Sequence, residues 1–154
     1  MINTATVTAA VVAQLKANLP AQTDAGLDYR DALITRREYV NRNPGLTPWI
    51  GVYPRRRSLA PRTLGNTATM WQATFEITVV VQATSRRGGE GAEDLLEEYH
   101  ADVLAALESD RTLGGTVDMI VGYQTEYSYV ETESESLFFQ EALITLTAEA
   151  KTGT

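Results

Sequence analysis

His100 is the only histidine in the chain, and there is no cysteine. It follows Tyr99 in the acidic run "AEDLLEEYHADVLAALES" and lies off that run's apolar stripe. No Ser-x-His-like partner can be named for it. Its reading is a partly exposed helix residue. Without cysteine, thiol catalysis, disulfides and thiolate zinc sites are excluded. The pairs Glu93/Asp94 and Glu97/Glu98 recur at i, i+4 and have the hardness to hold a cation, but a solvated helix face accounts for them. The paired glycines of "RRGGEG" and "TLGGT" fit no phosphate-binding loop, lacking both Gly-Lys-Ser/Thr and G-x-G-x-x-G after a strand. Tyr123, Tyr127 and Tyr129 could stack on bases, but the charges among them are Glu126 and Glu131, the wrong sign for nucleic acid. The expectation is a protein that is not an enzyme and carries no cofactor or metal.

The distinctive chemistry is instead ionic. "YPRRRSLAPRTLGN", residues 53–66, concentrates Arg55, Arg56, Arg57 and Arg62 in one stretch of a chain whose net charge is -7. Residues 1–89 carry a balance of +6 and residues 90–154 a balance of -13. Arginine suits contacts to carboxylates because its planar fork binds them bidentately. Complementary potentials of this kind steer association and fix register. The candidate interface residues are therefore Arg55, Arg56, Arg57 and Arg62, with Glu93, Glu97, Glu131, Glu133 and Glu135 as acceptors. They face either each other within one molecule or a neighbouring copy.

The elements that must position these groups follow from periodicity. Val7, Val11, Val12 and Leu15 predict a helix over 6–18, capped by Thr6 or Thr8 and ended before Leu19-Pro20. Residues 20–47 give no firm pattern beyond a short strand or helical turn near Leu33-Ile34 and Tyr39-Val40. "PWIGVYP" predicts a short strand, and 53–66 an extended arginine-rich loop. In 69–85, Trp71, Ala73, Phe75, Ile77, Val79 and Val81 alternate with Gln72, Thr74, Glu76, Thr78 and Gln82, the pattern of a half-buried strand. Fully extended at ~3.3 Å per residue it would span about 50 Å. Leu95, Leu96, Tyr99, Val103 and Leu107 stripe a helix over 92–109. Strands at 117–130, with Gly122 as a bulge, and at 137–150 flank the acidic turn "ETESES". The sum is one α+β domain over 1–154: a largely antiparallel β-sheet with helices packed on one face and long hairpin arms. The N-terminus lacks the basic start of a secretory signal, and no run approaches the ~18–20 apolar residues of a membrane span. The expected setting is intracellular.

The order "WIGVYP", a connection, "FEITVVVQA", "DLLEEYHADVLAAL", "LGGTVDMIVGYQTEY" and "FFQEALITLTAEA" resembles the tail terminator (tail-completion) proteins of long-tailed bacteriophages, over roughly residues 5–150. The resemblance rests on element order, length and the Leu-Gly-Gly turn after an acidic helix. It implies a compact subunit that forms a hexameric ring. Such a ring caps the finished tail tube, stops its polymerisation and docks to the neck of the filled head. The implied partners are further copies of the chain, the major tail tube protein and a neck or head-completion protein. Genome DNA would pass through without specific binding, and no membrane is involved. The implied location is the tail–neck region of the virion, reached from the host cytoplasm. Alternatives are a neck stopper, a minor tail protein, a small enzyme with a site between the hairpins, or a nucleic-acid-binding module using the arginines.

Overall fold

The structure, a computed structural model, describes residues 3–20, 34–36, 49–64, 68–85, 89–130 and 138–153. Helix α1 runs over Thr4–Asn18 and α2 over Gly89–Glu108. The strands are β1 (Ile34–Arg36), β2 (Trp49–Leu64), β3 (Ala68–Ser85), β4 (Met119–Val130) and β5 (Phe138–Gly153). They form one sheet in the order β1-β2-β3-β5-β4. Every pairing is antiparallel except the short parallel one between Ile34–Arg36 and Ile50–Val52. The fold is thus α+β with a largely antiparallel sheet, as the strand patterns predict.

Both helices pack on the same face. The odd-numbered residues of β3 from Ala73 to Val81 and the even-numbered residues of β5 from Ala142 to Ala150 are buried in one cluster with Val7, Val11 and Leu15 of α1. Leu96, Tyr99, Val103 and Leu107 of α2 join the same cluster. Each fully buried aliphatic or Phe side chain of this kind contributes about 1.5–3 kcal/mol by leaving water. The helices are also clamped to each other, because the Gln14 amide donates to the Ala106 carbonyl (3.2 Å) and to Ser109 Oγ (2.8 Å).

Two details of the helices differ from expectation or sharpen it. The cap of α1 is Asn3, not Thr6 or Thr8: its Oδ1 accepts from the Thr6 amide at 2.8 Å and from Thr6 Oγ1 at 2.9 Å. Asparagine outranks threonine as an N-cap, and Thr8, one turn in, is buried and donates its hydroxyl to the Thr4 carbonyl. The α2–β4 connection is held by Asp110, whose carboxylate accepts from Thr112 Oγ1, the Thr112 amide and the Gly114 amide at 2.6–2.9 Å. Leu113, Gly114 and Gly115 all have positive φ (50°, 69° and 83°), a run the two glycines permit. It drives the Leu113 side chain into the core.

The arginine-rich stretch is not a loop. Residues 53–64 continue β2, paired with β3 as far as Leu64 opposite Ala68. Prolines and arginines read as loop signals, but an edge strand accepts both. Beyond Val52, β2 has β3 as its only partner among the described residues. Pro54 sits at a register shift, and Pro61 pairs opposite Trp71.

Candidate assembly interface

The register shift between Pro54 and Arg56 decides where the arginines point. Before it, Ile50 and Val52 pair with Val81 and Val79 on the helix-bearing face. After it, Arg57, Leu59 and Pro61 pair with Phe75, Ala73 and Trp71 on that face, while Arg56, Ser58 and Ala60 pair with Glu76, Thr74 and Gln72 on the other. The extra residue of the bulge, Arg55, also turns to the helix-free face, where its Nη1 lies 3.4 Å from Thr145 Oγ1. A bulge of this kind re-aims side chains and bends the strand.

The three arginines are consequently not equivalent. Arg55 is committed to its own sheet through Thr145, and Arg56 pairs with Glu76 at 3.3 Å. Arg56 is exposed while the Glu76 Oε2 it faces is buried, so solvent screens the pair from one side. Arg57 is exposed on the helix-bearing side, and among the described residues it forms no ion pair. Arg62 lies farther along β2, opposite Met70.

The acidic partner surface lies at the other edge of the sheet. Glu93 and Glu97 are exposed one turn apart on α2. With Leu96 between them, and Tyr127, Ser128 and Gln140 below, they line a shallow cleft of about 360 Å³. Tyr127 is 57% exposed. Desolvation, and then the hydrogen bond to Glu97, push its hydroxyl above the ordinary tyrosine pKa. His100 braces this edge: its Nε2 is 2.9 Å from Thr125 Oγ1 on β4, and its ring centroid is 6.1 Å from that of Tyr127, tilted by 48°. It is half-buried against β4 rather than simply projecting from the helix.

Of the residues expected at the interface, the structure brings Glu93 and Glu97 together and places Arg55, Arg56 and Arg57 on β2, with β3 and β5 between them and β4. Glu131, Glu133 and Glu135 lie outside the described residues. Sequence reading missed Tyr127, Ser128 and Gln140 as companions of the two glutamates. No local motif shows that α2, packed on β3 and β5, turns its Glu93–His100 flank toward β4.

The cleft thus sets two exposed carboxylates beside an exposed tyrosine, groups of the kind that engage a guanidinium through ionic and ring-face contacts. Among the described residues, no three His, Asp or Glu side chains converge to hold a metal ion. The two ion pairs seen there, Arg56–Glu76 and Arg111–Glu108, do not join β2 to α2. No helix among the described residues is long and apolar enough to cross a membrane. In comparisons with known proteins, no family model and no curated relative matches the chain.

Proposed function

We propose that the chain is a ring-forming virion assembly protein, a tail terminator subunit that caps the phage tail tube, ends its polymerisation and joins tail to head. One observation carries this reading beyond the sequence resemblance. The sheet presents two unlike edges of opposite charge: β2 with Arg57 facing outward, and the β4–α2 edge with Glu93, Glu97 and Tyr127. Two different patches that complement each other give head-to-tail contacts, and head-to-tail contacts related by rotation close into rings. The acidic balance of the chain keeps such a ring from holding the phosphate backbone of passing DNA.

The test is tube growth. Purified chain added to its cognate polymerising tube protein is expected to arrest lengthening, with a ring visible at one tube end by electron microscopy. Unaltered tube lengths, with no density at the ends, would overturn the terminator role. Binding to the neck of filled heads but not to tubes would point to a stopper instead.

A further inference from the structure

We infer that the ring is held by a continuous intermolecular β-ladder, in which the open edge of β2 in one copy pairs antiparallel with the open edge of β4 in the next. This rests on the ring reading above and specifies how its subunits join.

Strand direction allows it. Three antiparallel steps, β2 to β3 to β5 to β4, leave β4 running opposite to β2 within the same sheet. A copy carried by rotation about an axis roughly along the strands therefore brings its β2 antiparallel to β4, with helix-bearing faces on the same side. Length allows it too. Among the described residues, the part of β2 with no strand but β3 beside it beyond Tyr53, from Pro54 to Leu64, nearly matches the 12 residues of β4 in length.

Chemistry favours it on both faces. On the helix-bearing side, Arg57 of β2 would meet Tyr127 of β4 beside Glu93 and Glu97, bringing a cation to the cleft. On the opposite side lie Arg56 of β2 and Glu126 of β4. One register, with Arg57 opposite Tyr127 and Ser58 opposite Glu126, satisfies both.

The two edges also differ in how they are guarded. Native sheets protect open edges with prolines, basic side chains and bulges. β2 has all three: Pro54 and Pro61 lack an amide donor, the arginines are basic, and the bulge lies at Arg55. β4, "MIVGYQTEYSYV", has neither proline nor lysine nor arginine. Its exposed side chains include Met119 (50%), Val121 (49%) and Tyr127. Its outer edge is unpaired among the described residues. Apart from its bulge before Gly122, this edge is a template for strand addition, and the like charges of two arginine-bearing β2 strands disfavour pairing β2 with β2.

Disulfide trapping tests the ladder, since the native chain has no cysteine to interfere. Ser58→Cys is combined in turn with Gln124→Cys, Glu126→Cys and Ser128→Cys, all on the helix-free face. Within one molecule β2 and β4 are about 14 Å apart across three strand spacings, too far for a disulfide, so any cross-link joins two copies. The expected result, in assembled protein under mild oxidation, is at least tenfold more linked species for Ser58/Glu126 than for the other two pairs. Assembly by light scattering with no cross-link in any pair would overturn the ladder and leave the ring reading standing. A chain that stays monomeric even over added tube ends would overturn both. A charge exchange covers the case of misfolded cysteine variants: Arg57→Glu should block assembly, and Arg57→Glu with Glu97→Arg should restore it. Failure of that rescue in a folded double variant also counts against the ladder.

Discussion

The guanidinium of Arg55 on β2 reaches across β3 to the hydroxyl of Thr145 on β5, at 3.4 Å. The same hydroxyl lies 3.2 Å from that of Thr78, buried on the strand between them. Three strands are thus tied through one oxygen on the helix-free face. The neighbouring Arg57, turned to the opposite face, has no such tie among the described residues.

The arginines should therefore separate by role. Arg57→Glu is expected to abolish assembly while leaving the melting temperature of the isolated subunit nearly unchanged. Arg55→Ala is expected to assemble normally. Light scattering paired with thermal unfolding checks both. Equal loss of assembly in the two variants would show that net charge, rather than placement, governs association.

The threonine pair gives a stability prediction. Thr145→Val leaves the buried Thr78 hydroxyl without its partner. That should cost about 1–3 kcal/mol, the penalty of an unsatisfied buried donor. Replacing both by valine removes donor and acceptor together at constant shape, so the double variant should cost less than the two singles combined. Urea unfolding of the four proteins measures the coupling.

Asp110 should shape the acid limb of stability. Its hydrogen bonds, first from the Thr112 hydroxyl and then from the Thr112 and Gly114 amides, hold its pKa below the usual aspartate value. A depressed folded-state pKa means stabilisation that is fully present above the unfolded pKa of about 3.9 and is lost as pH falls through the folded value. Asp110→Asn should be less stable than the parent at pH 7, with the difference closing below about pH 4. Parallel melting curves across pH would show it.

Gly115, at φ 83°, has no atom within 4 Å of the position a Cβ would take. The cost of Gly115→Ala is then the left-handed backbone alone, about 1–2 kcal/mol. At about 2–4 °C per kcal/mol for a chain of this size, that is a measurable drop in melting temperature. Gly115→Asn should lose less, because asparagine tolerates this conformation.

The chain should not retain duplex DNA on a filter at moderate salt, given its net charge of -7. Retention at micromolar protein, lost steeply as salt rises, would favour the nucleic-acid alternative.

What could be seen in the sequence, and what could not, divides by range of interaction. The period-two pattern of 69–85 showed β3 and its inner face, because burial on one side of a strand is written locally. The stripe from Leu96 to Leu107 showed α2 for the same reason. Gly122 marked the bulge in β4, which falls between Ile120 and Gly122. "PWIGVYP" showed the start of β2, but its continuation to Leu64 was hidden because the residues that protect an edge are also those that make loops, and only pairing with β3 separates the two cases. The cleft was half legible. Glu93 and Glu97 stand out as a charged helix face, but Tyr127 joins them because α2, seated on β3 and β5, leaves that face beside β4. No spacing in the chain reports that.

The bulge at Arg55 has a consequence for insertions and deletions. A copy lacking that one amino acid would pair without interruption and keep every later side chain on its present face, with Arg56 against Glu76 and Arg57 against Phe75. It would lose only the local bend and the guanidinium over Thr145. Removing a residue farther out, at Ser58, would instead turn the remainder of the strand over, because no spare amino acid is left there to absorb the change.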